Sequence, residues 1–176
     1  MTRRILVSMT ALVAVAAFVA AAYLYRDSSG GTPSAEALSP AAPVLVRPYS
    51  PVLGRADAPV TIVEFFDPAC ESCRAFYPFV KQIMAVFPTE VRTVIRYVEF
   101  HKQSEGAIRI LEAARKQDKF TPVLERLLEH QPEWAPHGRP GVDAWSLLDG
   151  TGLDIDRARQ DATLADVDAV LAQDAA

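Results

Sequence analysis

The chain is 176 residues long and 50% hydrophobic, with a formal net charge of −4. The length suits one domain with extensions. The acidic balance, with no basic cluster beyond the N-terminus, excludes the electrostatic footprint of a nucleic-acid-binding protein.

Arg3 and Arg4 precede an uncharged, mostly apolar run from Ile5 to Tyr25, broken only by Ser8 and Thr10. As a helix this run would be about 30 Å long, the thickness of a bilayer core. The arginines place the N-terminus in the cytoplasm and everything after Tyr25 outside. Residues 1–25 therefore read as a membrane anchor or a secretory signal. Ala20-Ala21-Ala22 fits a cleavage site, whereas continuation through Tyr23-Leu24-Tyr25 favours an uncleaved anchor. Either way the remainder faces an exported, periplasmic compartment in which disulfides persist. Residues 26–43, rich in Ser, Gly, Pro and Ala, read as a flexible linker.

The main domain is expected over 44–176. Val44-Leu45-Val46 predicts a short edge strand stopped by Pro48, and Pro51 to Gly54 and Asp57-Ala58-Pro59 predict turns. Val60 to Phe66 is rich in β-branched and aromatic residues, and both of its faces are largely apolar, as in a central strand. Phe76, Phe79, Val80, Ile83, Met84 and Phe87 then follow helical spacing. Between strand and helix stand the chain's two cysteines, Cys70 and Cys73. A helix N-terminus offers unpaired N–H groups and the positive end of the dipole, which stabilise a thiolate. Residues three apart on a helix are neighbours, so the pair can close a disulfide. Cys70, nearer the solvent end, is the expected attacking thiolate, with Cys73 resolving the mixed disulfide. Pro78 is expected to kink the helix.

Val91 to Phe100 predicts a second strand, parallel to the first, which brings Glu99, Phe100 and His101 to the cysteine end of the sheet. His101 reads as a solvated loop residue, with stabilisation of the Cys70 thiolate as the alternative. From Ser104 onward the pattern is helical. One stripe is Ala107, Ile108, Leu111 and Ala114; another is Phe120, Val123, Leu124, Leu127 and Leu128. Residues 131–141 read as a proline-rich loop with Trp134 as a packing anchor. Short helices are expected around Trp145, over 153–161 and over 164–171. No cofactor is implied. Zinc would need two ligands beyond the cysteines, and the spacing of His101, His130 and His137 matches no metal pattern, so no metal is expected either. An inert structural disulfide is the other bland reading of the pair.

Strand, Glu-Phe-Phe-Asp, Cys-x-x-Cys, then a proline five residues later: this resembles the thioredoxin superfamily. The Phe-Phe-Asp run resembles its DsbA-like branch, since thioredoxin proper has a tryptophan before the first cysteine. The resemblance implies an α/β thioredoxin-like fold with a helical insertion, here about 104–176. It implies catalytic roles for Cys70 and Cys73, and Glu64 as a buried carboxylate relaying protons for Cys73. Burial would raise the pKa of such a carboxyl and suit it to that task. A complete DsbA-like chain adds two strands, a final helix and a cis-proline loop against the cysteines; these are expected to be missing, which predicts marginal stability or a dimer. The function implied is thiol–disulfide oxidoreductase, oxidising exported cysteine-containing proteins and recharged by a membrane redox partner, with isomerase and reductase left open. The rival reading is a non-enzymatic thioredoxin-like binding or chaperone module.

Overall fold

The computed structural model describes residues 19–21 and 45–175. The chain divides into two units, 1–42 and 43–176. Of the first, residues 19–21 are described and are helical. Most of the expected anchor, the linker and Val44 lie outside the described residues. Among the described residues no helix is long and apolar enough to cross a membrane.

The second unit is a small sheet backed by helices. Strand β1 is Val52–Leu53, β2 is Val60–Phe66, and β3 is Val91–Tyr97. Helix α1, Glu71–Val86, joins β2 to β3. The sheet order is β1-β3-β2. β2 and β3 are parallel, with Val60 opposite Val91 and Phe66 opposite Tyr97. Two expectations are corrected here. The short antiparallel strand is Val52–Leu53, paired with Val94 and Thr93, where turns were predicted. The Pro51 carbonyl accepts from Ile95 N–H (2.9 Å), which starts that pairing. Gly54, at φ 88°, ends it in a conformation that side chains disfavour. The central strand is β3, not β2. β3 pairs on both sides and is buried almost throughout, whereas β2 has one free edge among the described residues.

The helical block follows as α2 (Ser104–Arg115), α3 (Phe120–Glu129), α4 (Gln131–Trp134), a 3-10 turn (Ala144–Leu147), α5 (Ile155–Asp161) and α6 (Ala165–Asp174). The α2 and α3 stripes predicted by spacing are the buried ones. They pack with Phe66, Tyr97, Trp134 and Leu148 into one core. The expected loop over 131–141 instead begins with α4, because Pro132 sits in its first turn, where the missing N–H costs nothing. Trp134 is buried as expected, and its indole N–H donates to the Leu127 carbonyl (2.7 Å). α1 runs through Pro78 to Val86 as one helix.

The end of α6 is tied to the sheet by charge. Asp174 accepts from Arg96 Nε (2.5 Å), the Tyr97 N–H (2.9 Å) and the Tyr49 hydroxyl (2.8 Å). Both members of the ion pair are nearly dry, so each satisfies a charge that water no longer reaches.

One face of the unit remains apolar and exposed. Phe76 and Phe79 on α1 are 66% and 61% exposed, with Ile83 and Val86 exposed beyond them. The Phe76 and Phe79 rings lie 6.0 Å apart. A continuous apolar surface of this kind recruits amphiphiles. The protein is expected to enhance the fluorescence of an apolar dye such as ANS at neutral pH. Phe76→Ser with Phe79→Ser should lower that signal several-fold without loss of helicity; an equal signal in both proteins would show that this face is covered.

Candidate active site

The site is built where β2 ends. Because β2 and β3 run parallel and in register, the segments leaving Phe66 and Tyr97 emerge side by side, and Val98 N–H donates to the Phe66 carbonyl (3.1 Å). Asp67 stands at that junction and is fully buried. Its Oδ1 accepts from Ala69 N–H (2.8 Å) and the Ser104 hydroxyl (2.7 Å). Its Oδ2 accepts from Phe100 N–H (2.9 Å) and His101 Nδ1 (2.8 Å). One carboxylate therefore shapes the turn into the cysteines, the turn after β3 and the start of α2.

Cys70 is the N-cap of α1, with extended backbone angles, and Cys73 lies within the first turn. Both are free thiols and partly buried. The Cys70 N–H donates to the Asp67 carbonyl and the Cys70 carbonyl accepts from Arg74 N–H, both at 3.1 Å. Gln131 on α4 clamps the same turn: its Nε2 donates to the carbonyls of Pro68 (2.8 Å) and Cys70 (3.0 Å).

Burial pushes the Cys73 thiol up to about 11; the Cys70 sulfur, within hydrogen-bonding reach, and the Glu64 carboxylate push the same way, while the Asp67 backbone opposes them. Burial also raises the Glu64 carboxyl above its ordinary value. Glu64 is half-buried on β2, opposite Ile95, and within electrostatic reach of Cys73 and Tyr77. Its folded form thus holds a proton more tightly than its unfolded form. The stabilisation is full below the unfolded value near 4.5 and is lost as pH rises through the folded value. Glu64→Gln, which cannot ionise, should therefore be more stable than the parent at pH 7. The advantage should shrink toward pH 4.5, measured as paired urea midpoints; a constant difference would place Glu64 in water.

His101 reaches the cysteine end of the sheet, as expected, but is held by Asp67 and is not a solvated loop residue. His137, from the segment after α4, pairs through Nε2 with Glu71, and its ring meets His101 edge-on at 5.7 Å. Backbone N–H and then the two histidines hold the Glu71 carboxyl below the usual range. The segment carrying His137 is pinned by Gly141: a Cβ there would lie 2.1 Å from the Trp134 carbonyl oxygen. His130 is elsewhere, paired with Glu133 (2.6 Å).

Sequence reasoning singled out Cys70, Cys73 and Glu64, and the structure gathers them around the start of α1. It missed Asp67 as an anchor, Gln131 as a clamp, and the meeting of Glu71, His101 and His137. Asp67 carried a signal, an acid where an apolar strand stops. Gln131 carried none.

A cysteine pair at the head of the helix that links two parallel strands defines a thioredoxin-like fold. The family model described as thioredoxin matches residues 47–173, and the chain belongs to that family. It is 33% identical over 112 residues to the Na(+)/H(+) antiporter NhaA 3 of Salinispora tropica, covering 62% of this chain and 16% of the antiporter. It is 37% identical over 102 residues to the Disulfide bond formation protein D of Bacillus subtilis, covering 52% of this chain and 46% of that protein. It superposes on a thioredoxin-like oxidoreductase from Silicibacter pomeroyi DSS-3 with a TM-score of 0.62 and 30% identity, covering 73% of this chain and 72% of the other. The chain spans less than half the length of either curated relative. These likenesses agree with the DsbA-like character of the Glu-Phe-Phe-Asp and Cys-x-x-Cys run.

Proposed function

We propose that the protein is a thiol–disulfide oxidoreductase that oxidises cysteine pairs in exported proteins. The observation that carries this reading is the asymmetry of the two sulfurs: one caps the helix, and the other is a partly buried thiol whose proton is held to about pH 11. In the oxidised form a substrate thiolate attacks the Cys70 sulfur. The Cys70–Cys73 bond breaks, a substrate–Cys70 disulfide forms, and Cys73 leaves with the electron pair. A departing thiolate of such high basicity must be protonated, and Glu64, whose burial makes its carboxyl hold a proton more tightly than an exposed glutamate does, is placed to supply one. The second substrate thiolate then attacks the mixed disulfide and releases Cys70. The substrate has lost two electrons and two protons, and the Cys70/Cys73 pair has gained them. A membrane redox partner takes up the two electrons and two protons and restores the bridge. Placement outside the cytoplasmic membrane, by anchor or after signal cleavage, follows from residues 1–25.

The test is refolding of a reduced, denatured ribonuclease by the stoichiometrically oxidised protein. Recovery of ribonuclease activity is expected, and the Cys73→Ser variant, preloaded on Cys70 with a substrate that has a single cysteine, should remain trapped on it, because neither Cys73 nor a second substrate thiol is there to resolve the mixed disulfide. Recovery no faster than with free oxidised glutathione would overturn the oxidase reading. The exposed Phe76–Phe79 face of α1 supports a second reading, a module that binds clients by their apolar segments. In that case client binding would survive in a Cys70→Ser, Cys73→Ser protein that performs no exchange.

A further inference from the structure

We propose that Glu71, His101 and His137 form a binding site for a divalent transition-metal ion of zinc type. The three residues come from separate places: the first position of α1, the turn after β3, and the segment after α4. One ligand atom from each lies within 4.8 Å of the other two. Two imidazoles and a carboxylate are a known zinc donor set, with metal–ligand bonds of about 2.0–2.2 Å. Ligands at those bond lengths stand roughly 3.3–3.5 Å apart around a tetrahedral ion, so the wider separations must close while the direct Glu71–His137 contact opens. His137 is 69% exposed on an irregular segment and is free to make that movement.

The second observation is the state of His101. Asp67 already accepts from two backbone N–H groups and a hydroxyl, so its contact with His101 Nδ1 is one more accepted bond. The proton therefore sits on Nδ1, and the lone pair sits on Nε2. A buried carboxylate that fixes the tautomer of an imidazole is the usual support behind a metal-bound histidine. Glu71 contributes the ligand charge and already faces His137 Nε2. Water would complete a tetrahedral shell. Only His137 depends on the positioning of a loop, and Gly141 provides that by letting the loop lie against the Trp134 carbonyl.

The experiment is calorimetric titration of Zn2+ into untagged protein carrying Cys70→Ser and Cys73→Ser, so that no thiol contributes and disulfide exchange plays no part in the result. One ion per chain is expected. His137→Ala and Glu71→Gln, both at exposed or half-exposed positions, should each weaken binding at least tenfold, because loss of even a supporting group costs metal sites about 10–100-fold. His130→Ala, which removes the His130–Glu133 pair on the far side of α4, should leave binding unchanged. Absence of Zn2+ binding up to about 1 mM, or binding that survives both His137→Ala and Glu71→Gln, would overturn the site.

Discussion

Asp67→Ala is expected to lower the unfolding free energy by about 3–5 kcal/mol, the range seen when one partner of a buried charged network is removed. The carboxylate accepts four hydrogen bonds in a place water does not reach. Alanine strands the donors: the Ala69 and Phe100 N–H groups, the Ser104 hydroxyl and the His101 ring. Each buried donor left without a partner costs about 1–3 kcal/mol. Asp67→Asn is the instructive companion. The amide keeps the shape, but its NH2 faces donors and can accept nothing, so two of the four bonds fail while two survive. It should fall between parent and alanine. Urea unfolding at pH 7 measures all three. An alanine variant within about 1 kcal/mol of the parent would mean that water replaces the carboxylate, contrary to its full burial.

The same residue shows how far the sequence could be read. β2, α1, β3 and the α2 and α3 stripes were visible because each is long enough for its period to repeat. β1 was not, since Val52-Leu53 offers two residues between a proline and a glycine, and no period can be seen in two. The order of the sheet was also hidden. Arg92 and Arg96 make β3 look like an exposed edge, yet Arg92 Nε donates to the Thr61 hydroxyl across to β2 (2.9 Å) and Arg96 is neutralised by Asp174, 78 positions away. A pairing at that separation leaves no trace in local spacing. The redox pair was legible for the opposite reason: Cys70, Cys73 and the strand before them are contiguous. His101 and His137 matched no metal spacing because the turn after β3 and the segment after α4 bring them to Glu71 at the head of α1, residues far apart in the sequence.

Cys70→Ser is expected to leave a thiol that exchanges disulfides at pH 7 about thirtyfold more slowly than an ordinary accessible thiol. The remaining nucleophile would be Cys73, and with its proton held to about pH 11 only roughly one molecule in 10⁴ carries the thiolate at pH 7. An ordinary thiol of pKa about 8.5 is itself only about 3% ionised at pH 7, a ratio of about 300, and the greater intrinsic reactivity of the more basic thiolate returns about tenfold, which leaves a deficit of about thirtyfold. Loss of the Cys70 sulfur removes two of the influences that raise Cys73, but burial, the largest of them, remains. The diagnostic is therefore the pH dependence as well as the size. Alkylation of Cys70→Ser by iodoacetamide should climb about tenfold per pH unit from 7 to 10, with no plateau in that range. The parent should instead show a faster phase at its helix-capping sulfur. A plateau in the variant below pH 9 would show that Cys73 ionises like an exposed thiol. The division of labour between the two sulfurs, and with it the need for a proton from Glu64, would then be wrong.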